Sequence, residues 1–147
     1  MHKSEDWMIK GYRDLLVWQK AHKLAKEVIT HSGLFPLTDE ASIIKKQIIR
    51  SAISVPANIA EGYGGNKGKV FQNSSTIARR EATETDYWLL LCYELDFLDN
   101  GTYERMQSGY RELITMLSSL IKKLDTPVKG HVNSPPPGPR LFPTFPG

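Results

Sequence analysis

Cysteine is almost absent from this sequence of 147 residues: Cys92 stands alone, so no disulfide can form within the chain. Long apolar runs are missing too. Trp88-Leu-Leu-Leu-Cys-Tyr93 falls far short of the ~20 residues a membrane helix needs. The opening Met1-His-Lys-Ser-Glu-Asp-Trp7 has no apolar core of the kind a signal peptide carries. Together these absences predict a cytoplasmic protein with no membrane segment. Strand-like alternation is lacking at any useful length. Charge is short of one strong sign: the net charge is +3 and the pI about 9.0. This permits contact with nucleic acid without demanding it. Hydrophobic residues make up 40%, enough for one domain to bury a core.

Helical periodicity fills the space that strands leave empty. Asp14 is the expected cap of a first helix over about 15–30, with an apolar stripe of Trp18, Ala21, Leu24, Ala25 and Val28 and a stop at Gly33. A second helix should begin at Thr38, which caps it, and run to Glu61 before Gly62-Tyr-Gly-Gly65. Pro56 inside it removes a backbone donor, which predicts a kink or a break near residues 52–56. A third helix should follow Asn66 and reach about Leu98. Its expected seam is Phe71, Ser74, Ala78, Glu81, Thr85, Trp88, Cys92 and Leu95, thin in its first half. Asp99-Asn-Gly101 reads as a turn before a fourth helix over about 102–124, whose seam is Met106, Tyr110, Leu113, Leu117, Leu120 and Leu124. Short connections make neighbours antiparallel. The expected fold is therefore all-α: an up-down-up-down four-helix bundle over 12–125, then a disordered proline-rich tail over 126–147, which holds seven of the nine prolines.

Catalytic signatures are missing. No phosphate-binding loop is present, and the glycines of 62–68 follow a helix, so they make no dinucleotide fingerprint. The histidines (2, 22, 31 and 131) lack metal-ligand spacing, so neither a metal nor a cofactor is expected. Glu81 and Glu84, beside Arg79 and Arg80, suit ion pairing better than acid–base work. The expectation is a protein that is not an enzyme.

One row on the second helix is less ordinary. Gln47, Arg50, Ser54, Asn58 and Glu61 share a face, while Ile44, Ile48, Ala52, Val55 and Ile59 line another. Either the polar row is a solvated face, or it is sheltered, with Arg50 neutralising Glu61 along the helix or across to another chain. Lys20, Lys23, Lys45, Lys46, Lys67, Lys69, Lys122 and Lys123 are the candidate nucleic-acid contacts, or else solubilising lysines.

Three motifs carry a family resemblance. Tyr12-Arg-Asp-Leu-Leu-Val-Trp-Gln-Lys-Ala21, Ser54-Val-Pro-Ala-Asn-Ile-Ala-Glu-Gly62 and Glu84-Thr-Asp-Tyr87 resemble the opening, central and third-helix motifs of the 23S ribosomal RNA intervening-sequence proteins. Arg80-Glu81 departs from the small Gly-Ser pair of that pattern. The resemblance implies a homopentamer of four-helix bundles. It also implies kinship with accessory proteins of diversity-generating retroelements, which bind nucleic acid and a reverse transcriptase. The expected function is thus a non-catalytic oligomer that binds structured RNA through repeated basic patches. The alternative is an accessory scaffold for another protein such as a reverse transcriptase.

Overall fold

The computed structural model describes residues 9–65 and 68–125. The segment 126–147 and Lys67 lie outside the described residues. A short 3-10 turn, Tyr12–Asp14, leads into α1 (Leu16–Ser32), α2 (Asp39–Gly65), α3 (Lys69–Glu94) and α4 (Asn100–Leu124). Each helix packs only on its neighbours in the order α1–α2–α3–α4, and α4 returns to α1, so the helices form a four-sided ring. No described helix is long and apolar enough to cross a membrane.

Side-chain caps start α2 and α4, and the helix boundaries correct two expectations. Thr38 Oγ1 accepts from Ala41 N at 3.2 Å and starts α2. Asp14 does not cap α1; it lies in the preceding turn, where Oδ2 accepts from Lys10 N at 2.9 Å and Gly11 N at 3.2 Å. At the other boundary, Asp99 Oδ1 accepts from Thr102 N at 2.8 Å, so Asn100 and Gly101 belong to the first turn of α4 rather than to a loop. That bond to the Thr102 N–H holds the Asp99 carboxyl below its ordinary range. α3 ends at Glu94, short of Leu98, because Asp96 turns the chain in the left-handed region at φ 63°.

Pro56 does not break α2. The helix continues through it to Gly65. Ser54 Oγ donates to Arg50 O and Asn58 Nδ2 to Ser54 O, both at 2.8 Å, so side chains bind backbone carbonyls around the proline. Gly62 is not a loop residue either. A β-carbon there would meet Ser74 Cβ at 2.3 Å, so glycine permits the close approach of α2 and α3. Gly109 does the same for α4 against α1, where a β-carbon would meet Leu24 Cδ2 at 2.6 Å.

The core follows the expected stripes on α2 and α4. Ile44, Ile48, Ala52, Val55 and Ile59 are buried, as are Met106, Tyr110, Leu113 and Leu117. On α1 the inward residue is Val17, while Trp18 is half-buried and stacks on His22 with ring centroids 4.6 Å apart. The α3 seam needs a larger correction. Its buried positions are Phe71, Ser75, Ala78, Ala82, Thr85, Leu89 and Cys92, an unbroken heptad register. Ser74, Glu81, Trp88 and Leu95 lie off it. The small residues at 75, 78 and 82 are core because they let α3 sit close to its neighbours.

Candidate interaction surfaces

The register of α2 on α3 is set by two contacts. One is Gly62 against Ser74. The other is a buried bond between the Thr85 and Ser51 hydroxyls at 2.8 Å. This register brings Arg50 opposite two carboxylates of α3. Its Nη1 lies 3.4 Å from Glu81 Oε1, its Nη2 pairs with Glu84, and its Nε donates to Gln47 Oε1 at 3.2 Å. Trp88 Nε1 donates to Glu84 Oε2 at 2.9 Å and completes the cluster. Within one subunit the partner of Arg50 is therefore not Glu61, which stands about 16 Å further along the same helix. Within one subunit the polar row is not sheltered: Arg50 and Glu61 are exposed, and Gln47, Ser54 and Asn58 are half-buried. Glu81 and Glu84 do pair with an arginine, but with Arg50 rather than with Arg79 or Arg80.

The residues that the expected α3 seam wrongly included belong to a second seam. Val70, Ser74, Ile77, Glu81, Glu84, Trp88, Leu91 and Leu95 also recur in steps of four and three, one position before the core register. Val70, Ile77 and Leu95 are 47%, 42% and 45% exposed. On α2, Ile43, Gln47, Arg50, Ser54, Ala57 and Glu61 form a matching row, with Ile43 63% exposed. The outer α2–α3 face thus carries apolar residues on either side of the Arg50 cluster, with Glu61 at one end.

The candidate lysines do not form one patch. Lys20 is paired with Glu112 of α4 at 2.9 Å, and Lys23 is exposed one turn away. Lys45 and Lys46 flank a concavity on α2 with Ser42, Ile49, Arg50 and Ile53. Lys69 Nζ donates to Gln72 Oε1 at 3.4 Å and shares a depression with Ile121 and Asp125, at the end of the bundle where Lys122 and Lys123 leave α4. A further basic group was missed in the sequence. Lys23, Lys26, Glu27, Thr30 and His31 of α1 meet Arg105 of α4 around another depression. Arg105 Nε and Nη2 donate to Glu27 Oε2 at 3.4 and 3.3 Å, and Nη2 lies 3.3 Å from His31 Nε2. Of this group only Lys23 was marked in the sequence; Arg105 comes from another helix, 78 positions from Glu27.

The buried polar groups do not assemble into a reactive centre among the described residues. Burial pushes the Cys92 thiol up to about 12, which keeps it protonated and a poor nucleophile. Burial likewise raises the Tyr110 phenol, whose hydroxyl has no partner among the described residues. Asp86 Oδ1 is buried without a hydrogen bond among the described residues, and burial raises its carboxyl, with Arg111 opposing the shift.

A family model described as 23S rRNA-intervening sequence protein matches residues 13–119. A crystal structure from Bacteroides thetaiotaomicron, of a protein with unknown function from the S23 ribosomal protein family, is similar to this chain. It is 31% identical, covers 73% of this chain and 99% of its own, and has a TM-score of 0.66. No curated protein matches.

Proposed function

The chain belongs to the 23S rRNA-intervening sequence protein family, and from that premise we propose that it works by binding and assembly rather than catalysis. Bundles associate through the α2–α3 face and present their basic edges to structured RNA. The observation that carries this reading is the doubled seam of α3, of which its own bundle uses one. A partner helix on the second seam covers Val70, Ile77, Leu91 and Leu95. Fully burying one aliphatic side chain contributes ~1.5–3 kcal/mol. Drying Arg50 opposes this, but Arg50 enters the contact already flanked by Glu81 and Glu84.

The partner in this reading is a second copy, in a closed ring. Five subunits is the number the family resemblance supports. A ring repeats each lysine group around its axis, so weak phosphate contacts add through effective concentration. The lone buried Cys92 suits the cytoplasm. Light scattering of the full chain should give a whole multiple of 16.6 kDa greater than one. Ile77→Glu should reduce that mass with its helical circular dichroism kept. A monomeric mass for the unaltered chain would sink the assembly claim. Fluorescence anisotropy with 23S rRNA fragments, at low and moderate salt, tests the RNA claim; no binding at low salt would remove it.

The α2 concavity around Ile49 and Ile53 supports a second reading, an accessory scaffold that seats a protein such as a reverse transcriptase. Capture of that protein at high salt, without RNA, would favour it.

A further inference from the structure

We infer that the α1–α4 corner is a binding cleft for the phosphodiester backbone of RNA. This rests on the RNA-binding reading above and names its contact site, which lies apart from most of the lysines marked in the sequence. Lys23, Lys26, Thr30 and His31 of α1 and Arg105 of α4 surround a depression of about 490 Å³, with Glu27 as its sole carboxylate. Three cations therefore face one anion there.

The arrangement is oriented rather than merely positive. Glu27 and His31 hold one edge of the Arg105 guanidinium, at 3.3–3.4 Å, while its Nη1 donors have no partner among the described residues. A planar fork with a free edge suits the paired oxygens of a phosphate. Lys23 and Lys26 make no ion pair among the described residues, whereas Lys20 and Arg50 are neutralised by Glu112 and by Glu81 and Glu84. The Thr30 hydroxyl adds a donor at the rim.

The charge of the lining favours RNA over a protein partner. Protein interfaces anchor on buried aromatic and apolar side chains. This cleft is lined by lysine, glutamate, threonine, histidine and arginine alone. The apolar anchors lie on the α2–α3 face, so the two surfaces can be occupied together.

The test uses the full chain and a labelled 23S rRNA hairpin fragment in anisotropy titrations across a salt series. Lys23→Glu with Lys26→Glu should weaken binding by about tenfold or more and flatten the dependence of log K on log salt, because fewer counterions are released. Lys45→Glu with Lys46→Glu, which reverses as much charge elsewhere, should have a smaller effect. Arg105→Lys keeps the charge and loses the fork, and it too should weaken binding. Circular dichroism of each variant checks the fold. A binding loss confined to the Lys45/Lys46 variant would overturn the cleft and leave the RNA reading standing. No binding by the unaltered protein would overturn both. Binding of inorganic pyrophosphate as tightly as the RNA, at constant ionic strength, would overturn the assignment to a polymer backbone.

Discussion

Gly62 of α2 and Ser74 of α3 approach so closely that a β-carbon on Gly62 would fall 2.3 Å from the Ser74 β-carbon. Ser74 Cβ is fixed by its own backbone and cannot swing aside. Gly62→Ala should therefore push the helices apart and cost ~1–3 kcal/mol, outweighing the ~0.5–1 kcal/mol that alanine gains over glycine in a helix. Gly109→Ala is the internal contrast. It meets the Leu24 side chain alone, with Cδ2 at 2.6 Å, and that end can give by bond rotation within the core, so its loss should be smaller than that of Gly62→Ala. Indistinguishable thermal melts for the two variants would refute this account of the crossing.

Ser51 and Thr85 form a buried hydroxyl relay. The Ser51 hydroxyl is also 3.2 Å from Ile48 O, and the Thr85 hydroxyl 2.8 Å from Glu81 O. Each hydroxyl has one proton, so the pair can run in either direction, and the carbonyl that receives no hydroxyl keeps its helical N–H donor. Thr85→Val should cost about 1 kcal/mol, because Ser51 loses its hydroxyl partner while it can still donate to Ile48 O. Adding Ser51→Ala should cost less than the sum of the singles, because neither partner is then orphaned. Strict additivity in a denaturation cycle would mean the hydroxyls are not coupled.

Arg50 separates two contributions. Its side chain is 46% exposed in the single subunit, so Arg50→Ala should cost a dissociated subunit under about 1 kcal/mol. If the face is covered by another copy, the same change leaves Glu81 and Glu84 without their cation in a dry contact, at ~3–5 kcal/mol. The expected outcome is a lowered mass in light scattering with a nearly unchanged subunit melt. Glu61→Ala, which removes neither partner of Arg50, should leave the subunit melt unchanged.

Asp86 gives a pH dependence with a definite sign. Burial raises its carboxyl in the fold above the unfolded value. The folded chain then holds that proton over a wider range. The resulting stability is whole below the unfolded carboxyl's range and is lost as pH rises through the folded pKa. At neutral pH the buried charge is a cost, so Asp86→Asn should raise the melting temperature there and should narrow the difference between acidic and neutral pH. A lower melting temperature at pH 7 would show that the Arg111 attraction outweighs burial.

Helix number, order and most of the core could be read in advance, because α2 and α4 carry bulky residues at regular steps. α3 could not, because it holds two interleaved registers. Ser75 and Ala82 look weak beside Trp88, yet smallness earns them the interior, while the Trp88 indole reaches out to Glu84. The Arg50 cluster and the Arg105 corner were hidden for a different reason. Each joins side chains from separate helices, and the register between helices is set by glycine contacts that a one-helix pattern does not contain. A reading confined to α2 had only Glu61 to offer Arg50.

The ring of helices has one corner unlike the others. α1–α2, α2–α3 and α3–α4 join elements adjacent in the chain, but α4–α1 joins its two ends, and it is also the most thinly packed. Glu27 and Arg105 meet there across 78 positions. Bringing such distant segments together carries the largest loop-closure entropy in the fold. The middle hairpin can form first, and the corner shuts last and opens first. Native-state hydrogen exchange should accordingly find the outer helices less protected than α2 and α3. A ligand that bridges Lys26 and Arg105 then acts as a clasp on the two ends of the chain, so that capturing it slows the earliest step of unfolding.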